Sequence, residues 1–111
     1  MQSDENTTIE KNNLLLLEEF NVDGIIMNLC HETHNHDIYQ EIMGRGIPIV
    51  FFDRIPDKSL NASKVMVNDS LCASLMTKHL IETGRKRIAH IMGPSIIRNT
   101  TERAIAYQQM L

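Results

Sequence analysis

"IPIVFF", residues 47–52, contains no polar side chain and then breaks abruptly to Asp53-Arg54. A half-exposed strand alternates apolar and polar residues. A short unbroken apolar run with a proline near its start fits a strand covered on both faces, as in a parallel sheet. The flanking segments agree. Upstream, "VDGIIMNLC" (22–30) is a second run of the same kind. Between the two, "NHDIYQEIMG" (35–44) restores helical spacing through Ile38, Ile42 and Met43, with Gly44 as a stop. Downstream, the loop "DRIPDKSLNAS" (53–63) leads into a third strand, "KVMV" (64–67), and "KRIAHIMG" (86–93) supplies a fourth.

Helices fill the remaining intervals. In "TTIEKNNLLLLEEF" (7–20), Thr7 and Glu10 have capping-box spacing, and Ile9, Leu16, Leu17 and Phe20 share a face. In "DSLCASLMTKHLIETG" (69–84), Asp69 is the expected cap, Leu71, Cys72, Leu75, Met76 and Leu80 form the apolar stripe, and Gly84 is the stop. "NTTERAIAYQQML" (99–111) begins with Asn99 and Glu102, again in capping-box spacing. Strands alternating with helices of this length predict an α/β fold: a parallel sheet, right-handed crossovers and helices on both faces. The chain opens on polar "MQSDEN" and ends inside an amphipathic helix, so a segment of a longer protein is expected.

At 111 residues, 42% hydrophobic and 23% charged, the composition is globular. A net charge of -3 argues against a phosphate-gripping surface. No apolar run approaches the roughly 18 residues of a membrane span. Cys30 and Cys72 have no metal-like spacing, which fits a reduced, cytoplasmic protein.

Ligands of open parallel sheets bind beyond the carboxyl ends of the strands. Those ends carry Asn28 to His31, Asp53-Arg54, Asn68-Asp69 and "GPSIIRNTTER". Asp53, a carboxylate after an apolar run, either caps a turn or pairs with Arg54, or else accepts hydrogen bonds from a ligand. "HETHNHD" (31–37) is rich in potential metal ligands, but a helical zinc-protease motif needs His at i and i+4, and position 35 is Asn. A solvated loop is expected there, with no metal. His79 and His90 have the settings of boundary and strand residues. "MGPS" is no phosphate loop. The cysteines lack a partner base, and the methionines are core filler. "GRKR" (84–87) suits the end of a helix dipole. No nucleophile–base pair is present, so neither an enzyme nor a cofactor is expected.

Taken in order, "VDGIIM", "GIPIVFFDR", "KVMVND", "HLIETGRKRIAHIMGP" and "NTTERAIAYQQML" resemble the effector-binding domain of LacI-family transcriptional regulators, from about Asn13 onward. The resemblance implies a partial periplasmic-binding-protein-like fold of two α/β lobes with an effector between them. Residues 1–67 would be the later part of the first lobe, and residues 68–111 the crossover and first βα unit of the second. Asp53, Asn99 and Arg103 would contact the effector, a sugar or nucleoside-like molecule. Asn68 and Asp69 would form the crossover, in reversed order from the usual pair. "AIAY" stands where the family usually has "LxGY". The family's DNA-binding helix-turn-helix has no counterpart in these residues. The implied protein is a cytoplasmic transcription regulator, a homodimer or otherwise self-associating, whose effector controls DNA binding through that module. The alternative is a fragment of a transporter's sugar solute-binding protein.

Overall fold

The computed structural model describes residues 1–31 and 34–111. The chain divides into two compact units, Met1–Met66 and Val67–Leu111.

In the first unit, α1 (Thr7–Glu19) leads to β1 (Ile25–Met27), α2 (His36–Gly44), β2 (Ile49–Phe52) and β3 (Ser63–Val65). The strands form a parallel sheet in the order β1-β2-β3, with Ile25 opposite Ile49 and Phe52 opposite Val65. The first two strands lie within the runs their apolar sequence predicts. The third starts a residue earlier than expected and is exposed throughout. Ile25, Ile49 and Phe51 point inward and meet Leu14 of α1 and Tyr39 and Ile42 of α2, with Leu29 and Leu60 closing the cluster. Tyr39 sets its ring edge-on to Phe51, with centroids 5.3 Å apart.

The expected cover on both faces is not met among the described residues. Alternate residues of a strand point to opposite faces, and the outward set includes Ile26 and Val65, which are 77% and 65% exposed. The expected face of α1 is also wrong. Phe20 is exposed, and the buried positions are Glu10 and Leu14. The cap is Asn6, whose Oδ1 accepts from the Thr8 and Ile9 amides. Glu10 is therefore released from a capping box for a buried role.

The stop of α2 comes two residues later than its first glycine suggests. Gly44 is still helical, and the left-handed residue is Gly46 at φ 96°. The Gly46 amide donates to the Met43 carbonyl, and the Ile47 amide to that of Ile42. This Schellman closure turns the chain straight into β2. Asn21 closes α1 in the same way, with its amide on Glu18 and that of Val22 on Leu17.

The second unit holds α3 (Asp69–Glu82) and α4 (Arg98–Met110). They meet over small side chains: Ala73 and Thr77 are buried on α3, and Ala106 on α4. The stripe expected to be core is on the outside, with Leu71, Leu75 and Met76 all more than half exposed. Gly84 is the stop, as its position predicts. The fourth strand is not formed. A strand needs a ladder partner, and residues 86–93 find none in this unit. They are tied instead to α4, where the Tyr107 hydroxyl donates to the Ile88 carbonyl at 2.7 Å and the Tyr107 ring lies 5.0 Å from that of His90.

Candidate functional site

The carboxyl ends of β1 and β2 lie side by side because the strands are parallel and in register. Asn28 follows β1, and Asp53-Arg54 follow β2. Asp53 has φ 59°, a left-handed conformation tolerated best by Asn and Asp among side-chain-bearing residues. Its amide still donates to Val65 at 3.2 Å. The bend thus comes immediately after the last ladder bond. Asn28 bridges the two strand ends. Its Nδ2 donates to Asp53 Oδ2 at 3.4 Å, and its Oδ1 accepts from the Arg54 amide at 3.2 Å. One amide side chain orients both the carboxylate and the start of the following loop.

Arg54 does not pair with Asp53. Its Nη1 donates to Glu5 Oε1 and reaches the Leu29 carbonyl at 3.4 Å. The other oxygen of Glu5 accepts from the His31 amide at 3.0 Å and lies 2.5 Å from His31 Nδ1. The His31 amide, with help from the Arg54 guanidinium, outweighs partial desolvation and holds the Glu5 carboxyl down at about 2. Glu5 is therefore an ion at any neutral pH.

A second carboxylate lies beneath this cluster. Glu10, only 4% exposed, takes the Cys30 amide on Oε2 at 2.7 Å. Its Oε1 takes Asn35 Nδ2 at 2.9 Å together with the Tyr39 hydroxyl. Asn35 also donates to the Thr7 carbonyl at 2.8 Å. Glu10 thereby pins the loop from β1 to α2 at both ends. Cys30 is buried beside it, with Ser3 Oγ 3.2 Å from its sulfur, and burial pushes its thiol pKa up, away from reactivity.

The "HETHNHD" segment is consequently not the uniform solvated loop its composition suggests. His31 is bound to Glu5, Asn35 is buried on Glu10, and His36 and Asp37 open α2. Glu32 and Thr33 lie outside the described residues. Among the described residues, no group of three or more His, Cys, Asp or Glu side chains is arranged to hold a metal ion.

In the second unit, the cap of α3 is Asn68, whose Oδ1 accepts from the Leu71 amide at 2.9 Å; Asp69 is the first helical residue. Asp69 is buried, and its Oδ1 takes both Nε and Nη2 of Arg103 at 2.6 Å. Arg103 is thereby held to α3 while remaining about half exposed, at 46% of its side chain. Asn99 does not cap α4. The cap position is Ile97, with no side-chain bond, and Asn99 is in the first turn. Glu102 pairs instead with Arg98 at 2.6 Å.

Asp53 is thus grouped with Asn28 in the first unit, and Arg103 with Asp69 in the second. Asn28 could be suspected from its place after an apolar run. Nothing local in the sequence marks Glu5 or Glu10 as ligands of the strand-end loop.

A family model for periplasmic binding proteins and the sugar-binding domain of the LacI family matches residues 1–111. The chain belongs to this family. Curated relatives agree. The ribose operon repressor of Halalkalibacterium halodurans is 30% identical over 98% of this chain and 31% of its own length. That of Escherichia coli K12 is 38% identical over 74% of this chain and 24% of its own. This periplasmic-binding-protein and LacI-family segment therefore spans less than a third of those relatives. Among solved structures, the transcription regulator CcpA of Lactococcus lactis superposes with a TM-score of 0.79 at 30% identity, covering all of this chain and 40% of that one. A periplasmic binding protein/LacI transcriptional regulator from Alkaliphilus metalliredigens, complexed with D-xylulofuranose, gives 0.78 at 28% identity, covering 97% of this chain and 38% of its own. These matches support the LacI-type resemblance and the partial α/β fold. No helix among the described residues is long and apolar enough to cross a membrane.

Proposed function

We propose that these residues are the effector-sensing part of a cytoplasmic transcriptional repressor. Residues 1–67 supply the later part of a first lobe, and residues 68–111 the crossover and the first βα unit of a second. The observation that carries the proposal is the polar cluster at the carboxyl ends of β1 and β2, in a chain whose relatives are repressors of a ribose operon. Asp53, oriented by Asn28, accepts hydroxyl hydrogens of a sugar or nucleoside-like effector. Arg103, held by Asp69, supplies a guanidinium suited to paired oxygens. Asn99, in the first turn of α4, adds a small polar contact, and Asn68-Asp69 serve as the crossover.

The chain performs no catalysis and takes no cofactor. The effector binds one lobe arrangement better than the other, and only that difference in affinity shifts the population. A homodimer then presents its DNA-binding modules differently. The repressor names of the relatives favour this over a transporter's solute-binding protein.

The test uses the intact regulator. Asp53→Gly, which keeps the left-handed bend, and Arg103→Ala should each abolish the response of operator binding to effector while the dimer mass stays unchanged. Normal induction in both variants would overturn the site.

A further inference from the structure

Glu5 is held as a bound anion would be. Three donors converge on its two oxygens: the His31 amide, the His31 ring and the Arg54 guanidinium. An ionised carboxylate can only accept, so His31 Nδ1 carries the hydrogen between them. The donors come from different places, His31 from the loop after β1 and Arg54 from the loop after β2, while Glu5 belongs to the segment before α1. That segment bends sharply to deliver the carboxylate. Asp4 and Glu5 both adopt left-handed backbone conformations, at φ 53° and 60°, which side-chain-bearing residues avoid unless their contacts outweigh the strain. A backbone amide, an imidazole N–H and a guanidinium directed at one point are the donor set that recognises carboxylates and phosphates. Glu5 itself is about half exposed, so the position opens to solvent.

We propose that His31 and Arg54 form an oxyanion cradle at the carboxyl ends of β1 and β2, with Glu5 as its resident occupant. The cradle takes a small carboxylate or phosphate once Glu5 is withdrawn. With Glu5 in place, it refuses ligands that carry such a group. This stands on the geometry of the first unit alone and does not require the effector proposal.

The experiment is a nuclear magnetic resonance titration of the 111-residue chain with inorganic phosphate and, separately, acetate, at constant ionic strength. The His31 amide and Arg54 Nε–H resonances report binding. Wild type should respond weakly to both. Glu5→Ala, and Glu5→Gln as a length-preserving second variant, should bind at least one of the anions about tenfold more tightly, because the competing charge is gone. A phosphate-only gain would assign the cradle to phosphates, and an acetate-only gain to carboxylates. Adding Arg54→Ala should abolish the gain. No gain in either folded Glu5 variant, or a gain that survives Arg54→Ala, would overturn the proposal. One measurement needs no variant: the Glu5 carboxyl carbon of wild type should titrate near 2, and a midpoint at the ordinary 4.5 would mean that the cradle is not occupied.

Discussion

The two units use apolar residues in opposite ways. Met1–Met66 closes a cluster around Phe51, Tyr39 and Ile42, each fully buried, beneath hydrogen-bonded strands. Val67–Leu111 joins two helices over alanines and a threonine and leaves its largest apolar side chains facing out. Small residues let helices approach closely but remove little area from water, so the first unit should hold most of the stability. The difference teaches that an apolar stripe identifies a face and not its cover. Helical spacing brings Leu17 of α1 against its core but leaves Leu75 of α3 exposed.

The largest expected effect comes from removing the centre of the better unit. Phe51→Ala should cost about 3–5 kcal/mol and raise amide exchange across β1 and β2. An equal rise in α3 and α4 would erase the contrast between the units. Glu10→Ala should follow at about 2–3 kcal/mol, because it strands the buried Cys30 amide and Tyr39 hydroxyl. A urea melt showing under half a kcal/mol would mean that water substitutes for the carboxylate. In the second unit, Ala106→Leu overpacks the contact between α3 and α4 and should cost about 1–2 kcal/mol, read as exchange in those helices. The smallest effect is that of acid. The folded pKa of Glu5 is depressed from 4.5 to about 2, so its contribution is present above pH 4.5 and lost as pH falls toward 2. Its partial exposure keeps that contribution small. Wild type should lose slightly more stability than Glu5→Gln over that window, and identical acid profiles would contradict the ion cluster.

Much of the first unit is legible in the sequence. Two uninterrupted apolar runs give β1 and β2, and Asp53 after the second marks the strand end. The rest escapes because it depends on partners distant in the chain. Glu10, three residues after Thr7, satisfies a local capping rule as well as it satisfies the Cys30 amide twenty residues away. Residues 86–93 have strand composition, yet composition supplies no neighbouring strand. Asn99 has the right spacing for a cap, but the helix starts one residue before it. Arg103 could be named from resemblance alone; its hold on Asp69 appears only when α3 and α4 are brought together.

Asp53 carries two requirements in one residue, a carboxylate and a left-handed backbone. A mutational scan at this position would therefore mix two phenotypes. Valine or leucine would fail for conformational reasons before chemistry was tested. Asparagine keeps the backbone preference while removing the charge and turning one acceptor oxygen into an NH2 donor, and glycine keeps the bend and removes the side chain altogether. Position 53 thus offers very few substitutions whose effects can be interpreted, and the informative comparison is Asp against Asn against Gly.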